Sequence, residues 1–436
     1  MNGLILSCLL HISYSVYYYC KSRCLSIHNL ISFWFSFIVV MGWITVETDI
    51  YQAIHGTYVS FPYEPYILEF AFFYIFMWPF RSLNSDKFYL KDLFFFNTDI
   101  KRFIQCLLVV FLLYLGVNAK NAFFVYQTSL VDAYYSVHNT GNLLFQLNEI
   151  EQKIIWICGS LFTWFSPLVI IYALYGLTNN RKRKSYSFYL LCIGICITCS
   201  FLSFISTGQR GAVFFFFVTF SILFIPLWKY LSKRIRRFFV TIIPLLVGVF
   251  FIYSVTMTVM RVEDSKTETP ITTVLRYLGE PYPHLGNKFW NKVLVHPMGM
   301  RLYPFIIEPK QIISNSNSIG EQHIIWENIT GVPILNYKTL YGDFYVEFGI
   351  WIPFIMVSLY SLLLWSFVKK SKVSVFAFPI LYYYIEMAAC APLWFQKREW
   401  TGVRNLIAII IIYFVLKLIF EKNNVVDEKS RHYNNI

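Results

Sequence analysis

The stretch that most limits the fold is a pair of apolar arms, Phe188 to Ile205 and Ala212 to Trp228. Only Ser206-Thr207-Gly208-Gln209-Arg210-Gly211 separates them. Each arm is about long enough to cross a hydrocarbon core of ~30 Å as a helix. The six residues between must then turn tightly at a membrane surface. They carry one arginine between Gly208 and Gly211, which allow a ligand or a neighbouring backbone to come close. Such an arginine either anchors the hairpin among lipid headgroups or holds an anionic ligand.

The rest of the chain agrees with a membrane setting. Of its 436 residues 57% are hydrophobic and only 14% charged, more apolar material than a soluble core needs. The net charge of +13 does not indicate nucleic acid, because the basic residues sit in short clusters between apolar runs, where they set orientation. The first apolar run, up to Tyr19, lacks a basic leader and a small-residue cleavage site, and reads as a spanning helix. Cys192, Cys196 and Cys199 mimic an iron–sulfur spacing, but they fall on an apolar helix and read as small packing residues.

Eleven spans can be drawn, at 3–19, 30–46, 66–80, 102–118, 154–177, 187–205, 212–228, 238–258, 341–366, 373–390 and 405–420. The fold class expected is an all-α polytopic membrane protein. The basic runs Arg181 to Lys184 and Lys229 to Arg237 are expected to be cytoplasmic. Propagated from them, the N-terminus lies outside and the C-terminus inside, with 23 of the 37 Lys and Arg on the inside. The organisation expected is an N-terminal bundle of about eight helices over 1–260 and a long outer loop over 261–339. C-terminal spans over 340–421 and a polar, disordered tail over 422–436 complete it.

The long loop opens with a helix signal. Thr269 suits an N-cap, Pro270 the first helical position and Gly279 the closing residue, with an apolar pattern at Ile271, Val274, Leu275 and Leu278. Its apolar face is expected on the membrane or the bundle top. Pro281, Pro283, Pro297, Pro304, Pro309 and Pro333 then read as an irregular, packed loop. Asn315 to Ser318 is its exposed tip.

Outward-facing polar groups are few. Arg210 sits in the hairpin, where an outside arginine opposes the positive-inside bias. Arg276 lies on the capped helix and Arg261 at the end of the eighth span, beside Glu263 and Asp264. Converging guanidiniums would clamp a pyrophosphate, since their planar fork matches phosphate oxygens and does not deprotonate. Re-entry into the membrane runs Asn336, Thr339, Asp343, Tyr345, Glu347. Its acids, four residues apart, share one helix face at the outer end of a long apolar helix; they also suit a solvated helix start. His323 and His284 are candidate general bases. Intramembrane charge is sparse, chiefly Glu69 and Glu386.

The Ser/Thr-x-Gly-x-Arg-Gly hairpin over Ser206 to Gly211, the long outer loop, and the Asn-x-x-Thr…Tyr-x-acid-Phe-Gly re-entry over Asn336 to Gly349 together resemble bacterial O-antigen polymerases, the Wzy-type repeat-unit polymerases. In layout the resemblance covers nearly the whole chain; the motifs cover only those two stretches. The resemblance implies a GT-C-like polymerase/ligase architecture in a Gram-negative inner membrane. The implied enzyme transfers a growing glycan from undecaprenyl pyrophosphate to a new lipid-linked unit, alongside a chain-length-determinant protein. It places Arg210 at the hairpin arginine and Asn336, Thr339, Tyr345, Phe348 and Gly349 in the re-entry motif. The family tends to have aspartate before Phe-Gly where this chain has Glu347, so Glu347 and Asp343 both stand as the functional acid.

Arg210, Glu347 and His323 are thus the catalytic candidates; Arg276, Arg261, Asn336, Thr339, Asp343 and Tyr345 are the substrate-binding ones. A polyprenyl pyrophosphate donor is already activated, so neither metal nor nucleotide cofactor is expected, and no phosphate-cradling glycine loop is present. Three other activities share parts of the pattern. An O-antigen ligase would use the same donor, a polyprenyl-phosphate sugar transferase would use acids such as Glu47 and Asp49, and a non-enzymatic flippase would need polar residues in both halves.

Overall fold

The computed structural model describes residues 2–56, 60–84, 89–90, 98–128, 147–179, 186–206, 210–228, 231–233, 235–241, 248, 252, 269–303, 319–334, 338–368, 372–393 and 400–433. In hydrocarbon an unpaired backbone amide has no partner, so the apolar runs close their hydrogen bonds locally as helices. These are α1 (Asn2–Ser22), α2 (Ile27–Glu47), α3 (Ile50–His55), α4 (Glu64–Phe76), α5 (Thr98–Thr128), α6 (Glu149–Asn179), α7 (Tyr186–Ser206) and α8 (Arg210–Leu227). In the long loop stand α9 (Pro270–Gly279), α10 (Pro281–His284) and α11 (Ile319–Thr330). The chain returns through α12 (Leu340–Phe348), α13 (Ile352–Phe367), α14 (Phe378–Cys390) and α15 (Trp400–Tyr433). Two-residue strands β1 (Tyr89–Leu90) and β2 (Lys372–Val373) pair in parallel.

Six of the described helices are long and apolar enough to cross a membrane, and three shorter apolar helices accompany them. The protein is an all-helical polytopic membrane protein. Helices α1, α2, α4 and α13 form one group, with the loop helices α9 and α10 packed on α2, while α5, α6 and α7 form a second group. Helix α14 joins the groups, touching α2, α6, α8, α13 and α15, and nearly all of its residues are buried.

Three sequence expectations change here. The span at 341–366 is two helices, because the chain breaks at Gly349, whose φ of +76° is open to glycine and closed to most other residues. The polar tail beyond Lys422 is helical to Tyr433, since nothing after Gly402 breaks the apolar helix that feeds it. Helix α9 ends at Gly279 as expected, but Glu280 keeps right-handed helical angles and α10 follows at once. Pro281 and Pro283 are not irregular loop, for they occupy the first turn of α10, where a missing N–H costs little. The span expected at 238–258 lies mostly outside the described residues.

Candidate functional site

The first polar cluster forms where α2 ends. At Asp49 the backbone turns left-handed, φ +59°, and α3 starts. Opposite, Thr269 caps α9 in a reciprocal box: its hydroxyl accepts the Thr272 N–H at 3.2 Å, and Thr272 Oγ1 accepts the Thr269 N–H at 2.8 Å. Helix α9 lies on α2 through Gly279. A Cβ there would sit 2.4 Å from the Thr45 side chain and 2.8 Å from the Met41 carbonyl oxygen. Glu280 keeps right-handed helical angles between α9 and α10, so Glu280 and His284 stand one turn apart, the His284 N–H donating to the Glu280 carbonyl at 2.9 Å. Leu285–Phe289 then forms a π-helical turn.

Glu280 Oε1 is the centre of this cluster. His55 Nε2 lies 2.7 Å away and Arg276 Nε 3.0 Å away. His284 Nε2 approaches His55 Nε2 at 3.3 Å. The Tyr51 ring packs against both imidazoles, and Asn287 Nδ2 donates to its hydroxyl at 3.3 Å. Burial first, then the charges of His55, Lys338, Lys288 and Arg276, push the His284 pKa well down and keep that ring neutral. Arg276 retains 27% side-chain exposure and His55 14%. A guanidinium beside a partly open imidazole–carboxylate pair can receive an oxyanion.

A second cluster fastens the loop to the re-entry helix. Arg301 Nη2 donates to Asp343 Oδ1 at 3.0 Å and Arg301 Nε to Glu347 Oε2 at 2.8 Å. Glu347 Oε1 accepts the backbone N–H of Gly299 at 2.9 Å and of Arg301 at 3.1 Å. Lys338 Nζ stands 3.8 Å from Asp343. Two cations and two anions therefore cancel in a buried site. The turn around Glu347 holds Met298 at φ +55° and Gly299 at +98°. Lys338 Nζ also lies 5.2 Å from the centre of the Phe289 ring, which packs against His284, so it stands between the clusters.

The candidates from the sequence divide accordingly. Arg276 joins the first cluster; Asp343 and Glu347 join the second. Thr339 caps α12, its hydroxyl accepting the Gly342 N–H at 3.0 Å. Tyr345 accepts the Asn291 N–H at 3.1 Å and stacks on Trp290. His284 joins the first cluster, while Glu47 and Asp49 are exposed and belong to neither. Arg210 begins α8 and His323 belongs to α11, but the side chains of both lie outside the described residues, as do Arg261 and Asn336. Glu69 is buried, 2.9 Å from His11 and accepting from the Tyr282 hydroxyl at 3.0 Å, so α10 reaches into the bundle.

Sequence reading missed His55, Glu280 and Arg301. The spacing of Glu280 and His284 was a usable signal, hidden by the two prolines between them. Nothing in the sequence points from Arg301 to its carboxylates. No protein-family model, curated protein or solved structure matches the chain.

Proposed function

We propose that this chain polymerises undecaprenyl-pyrophosphate-linked O-antigen repeat units on the face of the membrane that carries the long loop. It would do so with eleven spans in a GT-C-like arrangement, in a Gram-negative inner membrane with the N-terminus periplasmic and the C-terminus cytoplasmic. The observation that supports this reading is Arg276, a partly exposed guanidinium held against Glu280 and His55 where two loops from that face meet. The reaction breaks the bond between the sugar's anomeric carbon and the pyrophosphate and joins that carbon to a hydroxyl of the next unit. Arg276 and Arg210 take the charge left on pyrophosphate.

Glu347 commits both oxygens to donors of the loop, so we assign it, with Asp343, to holding the re-entry helix in place. His323 on α11 takes the acceptor's proton. Arg261 and Asn336 are assigned to binding the glycan, which Thr339 and Tyr345, buried and holding the amides of Gly342 and Asn291, support by shaping α12. The donor is activated, so the transfer calls for no magnesium or manganese. A chain-length-determinant protein is the partner expected.

Lipopolysaccharide from a strain lacking the gene tests the reading. Core capped by a single repeat supports a polymerase, whereas bare core with long lipid-linked chains indicates a ligase. Restored with Arg276→Ala or Arg210→Ala, transfer should fall on the order of 10²–10³-fold. Arg→Lys at either position keeps the charge but loses the fork, and should also be impaired. Normal long chains from well-expressed alanine variants would remove these arginines from the site.

A further inference from the structure

Two imidazoles and a carboxylate meet in the first cluster, and the proposed transfer does not need all three. His55 reaches Glu280 and His284 from a segment more than 200 residues away. One ligand atom from each residue falls within 4.8 Å of the others. The Nε2 atoms of the two histidines are 3.3 Å apart. Two nitrogens bound to one tetrahedral zinc at ~2.0–2.1 Å are about 3.3–3.4 Å from each other. The imidazole pair thus already has the length of one edge of a zinc tetrahedron. As a hydrogen bond the same contact is long, and it engages one lone pair where a metal would engage two. Two imidazoles and one carboxylate suit zinc better than magnesium or calcium, which prefer oxygen ligands.

We propose that His55, Glu280 and His284 bind one zinc ion, which staples α3 to the loop helices α9 and α10. Arg276 shares Glu280 Oε1, but a carboxylate has two oxygens, so the ion takes one and the guanidinium the other. The His55–Glu280 contact, 2.7 Å without metal, opens by about half an ångström to the tetrahedral edge. Lys338, whose ammonium stands over the Phe289 ring that packs against His284, opposes a dication. The affinity expected is therefore moderate, well short of that of an all-thiolate site. Three protein ligands leave a fourth position for water.

The proposal stands apart from the polymerase reading, and its test reads binding and melting rather than turnover. Full-length protein, purified in detergent and stripped with chelator, is titrated with zinc and separately with magnesium, and bound metal is counted by elemental analysis. One zinc per chain and no magnesium is the result expected, with a melting temperature that rises with zinc concentration by mass action. Cobalt in place of zinc should give the visible absorption of a tetrahedral site. His55→Gln alters a partly exposed residue and keeps a donor for Glu280. It should weaken zinc at least tenfold and abolish the melting shift, leaving the metal-free melting temperature unchanged. Arg276→Gln should bind zinc at least as tightly as the parent. Zinc well below one per chain, or undiminished binding by both His55→Gln and Glu280→Gln, would overturn the assignment.

Discussion

Arg301 holds two carboxylates at once while only 7% of its side chain is exposed. Removing one partner from a buried ion cluster leaves the others without compensation, at a cost of about 3–5 kcal/mol. Arg301→Gln should therefore lower the thermal stability of the purified protein more than any exposed arginine would. Adding Glu347→Gln should return part of the loss, because the penalty comes from the unpaired charge. A double variant less stable than the single one would show that Glu347 acts independently of Arg301. The acids were legible in the sequence because four-residue spacing puts them on one helix face. Arg301 was not, since its approach depends on a non-periodic turn more than 40 residues upstream.

At the scale of elements, caps were readable and contacts between helices were not. Thr269 and Pro270 announce α9 through local chemistry that any helix start would use. Gly279 is the last residue of α9, and it also lets α9 touch α2, which its letter does not announce. Filling it should cost about 1–3 kcal/mol through overpacking, so Gly279→Ala should lower the melting temperature. Gly194, where an added Cβ meets nothing within 4 Å, supplies the contrast. There alanine should be neutral or stabilising by ~0.5–1 kcal/mol. Equal losses at the two positions would refute the packing account. The break at Gly349 was hidden for a similar reason: apolar residues flank it on both sides, so hydropathy runs through without a gap.

For the whole molecule, composition and hydropathy were enough to read a helical membrane protein, and most apolar runs became helices within a few residues of the expected bounds. How the loop folds back into the bundle was not readable, because Tyr282, Leu285 and Phe289 are buried by partners distant in sequence. The arrangement of basic clusters makes one prediction at this scale. A reporter fused after Asn180 should behave as cytoplasmic and one placed within Asn315 to Ser318 as periplasmic. Finding both on the same side would undo the assignment of faces.

Helix α14 is the hub of the bundle, yet it has only thirteen residues. With the 3-10 turn Val375–Ala377 that leads into it, the helical segment has sixteen residues and spans about 25 Å, still short of the hydrocarbon thickness. Its last carbonyls are met by protein instead of headgroups: Trp34 donates to Ala389, and the first amide of α12, from Leu340, donates to Ala391, each at 2.8 Å. Helix α4 is equally short and turns Ile67 and Tyr74 outward. A lipid-facing span as short as α4 is accommodated by local thinning of the bilayer or by flanking residues that reach the interface. The bilayer is therefore expected to thin beside α4, where Ile67 and Tyr74 face outward.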